Sequence, residues 1–264
     1  MNTMKPVLTA GLSLALCFLS FGVNADPSLP ILKIDNRTPL AISVSLQGIP
    51  YSLPPPTNFM RQIEGIYSNV YIEDLDGDGI GEVIFRLEGD SINICYKVLQ
   101  YRAASNSLDE LIFDDGALCN FRIGGDYITS SYRDGSTWSE YLYHIRDGVV
   151  KLEILDSCVG CGEIKREVYH PDGSITRLLV SDNVDHERRT PLSATVSSFK
   201  AVIFSSPEAA RYTKKYLVQG DEVTLLDFFK DDDGSDWIEF RFSGVAVTEG
   251  WLKCSDLDNC ENIK

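Results

Sequence analysis

Asp74 to Glu82 reads DLDGDGIGE, three aspartates at alternate positions with a glutamate closing the stretch. Counted from Asp74, the acids Asp74, Asp76 and Asp78 take positions one, three and five, Ile80 takes seven and Glu82 nine. Calcium takes about six to eight oxygens at roughly 2.3–2.6 Å, from carboxylates, a backbone carbonyl and water. Carboxylates at this spacing can converge on one ion. Gly77 and Gly79 let the chain curl that tightly, and Ile80 need offer only its carbonyl. Without a cation the four acids repel one another; with one, the repulsion becomes coordination. The flanks decide the fold: Val70-Tyr71-Ile72 and Val83-Ile84-Phe85-Arg86-Leu87 read as strands, so the loop is expected to close a β-hairpin. The plainer alternative is an acidic β-turn that holds no metal.

A helix-flanked EF-hand starts the same way but carries a bidentate Glu at position twelve, where this chain has Phe85. With strands on both sides, the stretch resembles instead the calcium hairpins of FG-GAP and VCBS repeats, which implies Ca2+ held by Asp74, Asp76, Asp78, the Ile80 carbonyl and Glu82. Glutamate stands at position nine where that pattern usually has aspartate. A second acidic run, FFKDDDGSDW, lacks the alternation and reads as the solvated tip of a hairpin.

Outward from the loop the text is strand after strand: ILKID, AISVSL, NVYIE, EVIFRL, CYKVLQY, ELIF, YITSSY, SEYLYHI, VVKLEIL, EIKREVY and ITRLLV, with few helical periods. Asp-Gly pairs at 115–116, 134–135, 147–148 and 172–173 lie between such runs, a strong hairpin signal. In VVKLEIL, Val150, Leu152 and Ile154 are expected on one face with Lys151 and Glu153 on the other. The expectation is an all-β chain whose residues 26–180 form an antiparallel domain, propeller-like or sandwich. The polar stretch SDNVDHERRTPLSATVSS suggests a linker over 181–196.

Residues 197–264 make a compact second unit. Tyr216-Leu217, Gly220-Asp221-Glu222-Val223, Leu225, Trp237, Gly250-Trp251-Leu252 and Ser255-Asp256-Leu257 resemble the strand-and-turn text of bacterial SH3-like domains, which implies a small β-barrel.

Residues 1–25 carry Lys5 ahead of an apolar run and end in Val23-Asn24-Ala25, as expected of a secretory signal peptide cut after Ala25. The run is shorter than the roughly 20 residues that span a bilayer, and Leu16 before Cys17 does not suit lipid attachment. An exported, periplasmic chain without membrane insertion is therefore expected. Removing 25 of the 264 residues takes away one Lys and no acid, so the net charge of −15 becomes −16 on 239 residues. Such a chain repels nucleic acid and anionic lipid and favours a cationic partner. Six cysteines remain, an even number that points to disulfides in an oxidising compartment. Proximity suggests Cys254 with Cys260 and Cys158 with Cys161, leaving Cys95 with Cys119, although six cysteines allow fifteen connectivities. CVGC could also be a redox motif or half of a zinc site.

No catalytic constellation is evident. His144, His170 and His186 are not spaced at i, i+3 or i, i+4 from one another or from a cysteine, and HExxH, GxSxG and a phosphate loop are absent. An even cysteine count argues against a free nucleophilic thiol, while paired carboxylates are left open by 39 acids. No enzymatic activity is expected.

A leader, one DxDGDG hairpin and Tyr- and Asp-Gly-rich strands over residues 60–180 are similar to periplasmic immunity proteins that protect bacteria from secreted peptidoglycan hydrolases of interbacterial secretion systems. The resemblance implies a protein that blocks a basic, lysozyme-like effector with an exposed loop, calcium holding the scaffold. Tyr132, Trp138, Tyr141 and Tyr143 are candidates for that contact, since aromatics supply much interface energy. A second reading is a peptidoglycan-binding module with Trp237, Trp251 and Tyr216 lining a groove; a third is an unrecognised glycosidase.

Overall fold

The computed structural model of the protein describes residues 29–89, 92–114, 116–207, 212–231, 236–258 and 260. The expected signal peptide and the centre of the FFKDDDGSDW run, residues 232–235, lie outside them.

The architecture is all-β. A first sheet holds β1 (Ile31–Arg37), β2 (Leu40–Leu46) and β3 (Ile49–Ser52), followed by a short helix α1 (Thr57–Ile63). A second holds β4 (Tyr67–Glu73), β5 (Glu82–Leu87), β6 (Cys95–Arg102) and β7 (Ser107–Leu111) in that order, with β8 (Leu118–Cys119) also pairing β6. A third runs through β9 (Arg122–Gly124), β10 (Tyr127–Asp134), β11 (Thr137–Arg146), β12 (Val149–Val159), β13 (Glu163–Tyr169) and β14 (Ile175–Ser181), each neighbour antiparallel to the next. The last sheet comprises β15 (Ser193–Thr195), β16 (Lys200–Phe204), β17 (Tyr212–Val218), β18 (Glu222–Lys230), β19 (Asp236–Ser243) and β20 (Val247–Lys253), ordered β15-β18-β19-β20-β16-β17.

Strand alternation explains the layering. On β5, Val83 and Phe85 join Leu32, Val44, Phe59, Ile63 and Leu99 in one core, under the first sheet and α1. Ile84, pointing the other way, joins Val98, Leu111, Phe113, Ile128, Tyr143 and Ile145 in a second core, against the third sheet. β5 is therefore buried on both faces, and the hairpin that carries the Asp loop sits in the middle layer.

Three of the four Asp-Gly pairs join strands that are ladder neighbours: 134–135, 147–148 and 172–173. At the fourth, Asp115 lies outside the described residues, and the strands on either side, β7 and β8, both pair β6 instead of each other. All three expected disulfides are present, Cys95–Cys119 across the β6–β8 ladder, Cys158–Cys161 around the β12–β13 turn and Cys254–Cys260 after β20.

Four expectations need correction. In VVKLEIL, Leu142 pairs Ile154 and Tyr143 pairs Leu152, so Glu153 is the extra residue of a β-bulge. The bulge flips the phase: Val150 and Leu152 pack on the second core while Ile154 and Asp156 turn to the opposite face with Leu142 and Glu140. The helix α1 was not expected; it is only seven residues long and anchors through Phe59 and Ile63, one helical turn apart. Residues 181–196 are not a plain linker. Ser193–Thr195 pairs Glu222–Thr224, Leu192 packs on the C-terminal core, to which Leu179 of β14 also belongs, and Arg189 is buried. Finally, among the described residues the C-terminal sheet does not close on itself, so the expected barrel is an open six-stranded sheet.

Candidate functional site

The Asp loop joins β4 to β5, whose ladder runs up to Glu73 opposite Glu82. Gly77 and Gly79 adopt φ of 75° and 86°, which side-chain-bearing residues rarely tolerate, and this lets the chain double back within the turn. Each aspartate is then aimed by backbone amides. Asp74 accepts from Gly77 N at 2.8 Å through Oδ1 and from Gly79 N at 3.0 Å through Oδ2. Asp76 Oδ1 accepts from Asp78 N at 3.2 Å, and Asp78 Oδ1 from Ile80 N at 2.6 Å.

The consequence is convergence: one carboxylate oxygen from each of Asp74, Asp76 and Asp78 lies within 4.8 Å of the others. Two oxygens bound to one calcium at roughly 2.3–2.6 Å can stand no more than about 5 Å apart, so the three fit a shared ion. All three are exposed, as an entry path for a cation requires. Glu82 is placed differently from the expectation. It is buried at the start of β5, is not one of the three converging acids, and its Oε2 accepts from Leu75 N at 2.8 Å. Burial, opposed by that hydrogen bond and reinforced by the charges of Asp76, Asp78 and Asp74, pushes its carboxyl up to about 8. Asp76 is held above its usual value, chiefly by desolvation. The converging donor set is three carboxylates, all oxygen, which suits a hard divalent ion. A cleft of about 180 Å³ opens beside it, where Asp74 and Asp76 face Tyr127, Ile128 and His144.

The aromatic candidates for a partner contact separate. Tyr132 is 39% exposed. Trp138, near the start of β11, is half-buried between Arg133 and Val159. Tyr141 is half-buried and packs on the second core, its ring stacked on Tyr143. Tyr143 itself is 1% exposed and edge-on to Phe113, so it belongs to the core and not to a contact surface. In the C-terminal unit Trp237 is equally buried, edge-on to Phe204, and cannot line a groove. Tyr216 is exposed and lies with Phe199, Lys200, Val218 and Gln219 around a hollow of about 360 Å³.

One feature had no sequence signal. Glu140, Asp156 and Arg166 are cross-strand neighbours on β11, β12 and β13, so they form a row on the outer face of the third sheet. Arg189, whose side chain is fully buried, enters this row from the segment after β14 and binds both Asp156 and, at 2.7 Å, Glu140. Arg166 holds Asp156 through two bonds of 2.7 and 2.6 Å, and Arg122 reaches Glu140 at 2.9 Å. The partners lie 33 and 49 residues from Arg189 in sequence, a separation no local pattern discloses.

No family model matches the chain, and no curated protein matches it. Among solved structures, a Xanthomonas type IV secretion system related protein aligns at a TM-score of 0.33 and 18% identity over 60% of this chain and 80% of that one. A Bacteroides uniformis protein described as a candidate 6-phosphogluconolactonase aligns at 0.24 and 11% over 81% and 78%. At these scores neither likeness bears on function. No helix among the described residues is long and apolar enough to cross a membrane.

Proposed function

We propose that this is an exported, periplasmic immunity protein that binds and inhibits a secreted peptidoglycan-degrading enzyme, acting without catalysis of its own and on a scaffold held by Ca2+. The observation that carries the reading is the convergence of Asp74, Asp76 and Asp78 on a hairpin that is itself the middle layer of the fold. In that arrangement Asp74, Asp76 and Asp78 would hold the ion, with the Ile80 carbonyl and Glu82 close by in the loop. The ion would supply charge neutralisation and would tie β4 to β5. The rest of the chain supplies rigidity, through three disulfides and the buried Arg189 network, and a strongly negative net charge, −15 for the full sequence, that speeds encounter with a basic enzyme.

The test is inhibition. Purified protein is added to a basic c-type lysozyme digesting peptidoglycan sacculi, in calcium and in chelator. Dose-dependent loss of digestion that weakens in chelator is expected; undiminished digestion at a large molar excess would contradict the reading.

The exposed hollow around Phe199, Lys200 and Tyr216 favours a second reading, peptidoglycan binding through the C-terminal unit. Retention of the full chain on sacculi, lost in Phe199→Ala/Tyr216→Ala, would support it.

A further inference from the structure

Cys158 and Cys161 close a disulfide across the turn between β12 and β13, and this bridge differs from the other two in backbone, access and loop size. Trp138 pairs Val159 and Ser139 pairs Ser157, so Cys158 is the extra residue of a β-bulge. Its φ is 64°, the left-handed conformation that glycine adopts freely and a residue with a Cβ adopts only at a cost. The same turn uses glycine for this purpose at two further positions, Gly160 with φ 83° and Gly162 with φ 119°. A glycine at 158 would serve the bulge better, so the cysteine is there for its sulfur and not for the turn.

Cys158 and Cys161 are both half-buried, whereas Cys119, Cys254 and Cys260 are buried. Each of the other bridges therefore keeps at least one cysteine away from solvent. The sequence separation is 3 for Cys158–Cys161, against 6 for Cys254–Cys260 and 24 for Cys95–Cys119. A bridge stabilises the fold more the longer the loop it closes, so opening this one costs the fold least. The turn also has backbone bonds that do not need the sulfurs: Cys161 N donates to Cys158 O at 3.1 Å and Gly162 N to Asp182 Oδ2 at 3.3 Å. A bridge kept for stability alone would close a longer loop on relaxed backbone. Strained and accessible disulfides are instead the ones that exchange readily with thiols.

We propose that Cys158–Cys161 is a thiol–disulfide exchange site, opened by an external dithiol while Cys95–Cys119 and Cys254–Cys260 stay closed. A thiolate of the dithiol attacks one sulfur of the bridge. The S–S bond breaks as the mixed disulfide forms, and the other sulfur leaves as a thiolate that takes up a proton. The second thiolate of the reductant then attacks the mixed disulfide and releases the remaining cysteine. Two electrons pass to the bridge, residues 158 and 161 end as thiols, and the dithiol ends as a disulfide. Freed of the bridge, Cys158 can leave the left-handed conformation, which loosens the turn beside Asp156 and Arg166 and its bond to Asp182. The proposal does not depend on the inhibitor reading.

The experiment equilibrates the full-length, disulfide-bonded protein, without denaturant, at graded ratios of reduced to oxidised dithiothreitol. Samples are trapped by alkylation and each cysteine is read by peptide mass spectrometry, with near-ultraviolet circular dichroism of the same samples reporting the fold. Cys158 and Cys161 are expected to label at ratios lower by about 10-fold or more than the other four disulfide cysteines, in protein that keeps its folded spectrum. They are expected to close again in oxidised dithiothreitol. If the three bridges open over the same range of ratios, if another opens first, or if Cys158 and Cys161 label only where the folded spectrum is lost, the assignment falls.

Discussion

Arg189 is the residue whose loss should be felt most widely. Arg189→Met removes the cation between Glu140 and Asp156, both nearly inaccessible, and leaves them with Arg122 and Arg166. Breaking a buried pair by removing one partner typically costs about 3–5 kcal/mol, so a drop of that size is expected in urea unfolding, together with faster amide exchange over 183–188. A midpoint unchanged from wild type would contradict the account of the network. Asp76 should behave in the opposite manner. Asp76→Ala relieves like-charge crowding in the metal-free protein while removing a ligand, so it should abolish the response to calcium without lowering stability in chelator. Differential scanning in both conditions checks this. Such residues differ in how far the sequence discloses them. Asp74, Asp76 and Asp78 are legible because their geometry is set by a turn of a few residues; Arg189 looks like any charge in a polar stretch until the sheet brings its partners to it.

At the scale of elements, the alternation of side chains and the Asp-Gly turns made most strands readable, because period and turn chemistry are local. β12 was read as a strand, but its facing beyond Glu153 was not, since the bulge there depends on its neighbour across the ladder. α1 escaped because one apolar pair a turn apart is too short a period. Segment 181–196 escaped because Ser193–Thr195 owes its strand to the β18 edge it meets, not to its own composition. Two predictions belong here. Cys95–Cys119 spans 24 residues and Cys158–Cys161 spans 3, so on loop-closure entropy the Cys95→Ser/Cys119→Ser variant should lose about 3–4 kcal/mol and Cys158→Ser/Cys161→Ser about half that. Equal losses in chemical unfolding would contradict the entropic account. On β19, burial first, then the Asp227 carboxylate on the facing strand, hold Glu239 above its usual value, with Arg177 pulling the other way. A raised acid favours the folded state when protonated, so that contribution is complete below its unfolded value and fades as pH rises through the folded one. Glu239→Gln should therefore raise the melting temperature at pH 7 to 8 and leave it unchanged at pH 4. A gain of equal size at both pH values would refute the electrostatic cause.

For the whole molecule, the layers turn a local loop into a global device. The Asp hairpin lies between two cores, the third sheet holds the Arg189 network on its outer face, and the C-terminal sheet is joined to the third by Leu192 N donating to Leu179 O and by Lys165 reaching Asp227 and Phe228 O. A cation that stiffens β4 and β5 thus acts on the layer against which the third sheet packs. The all-β class, the pairing of cysteines and the place of the loop could be read from the chain; the layering could not, because it depends on which face of each sheet meets which neighbour. The measurement closest to the central claim is the melting temperature of the disulfide-intact protein in chelator and after adding calcium. A ligand bound only by the folded state at ~100 times its Kd contributes about 2.7 kcal/mol, so a rise of about 5–10 °C is predicted, absent in Asp76→Ala. The same melting curve with and without calcium in the wild-type protein would contradict it.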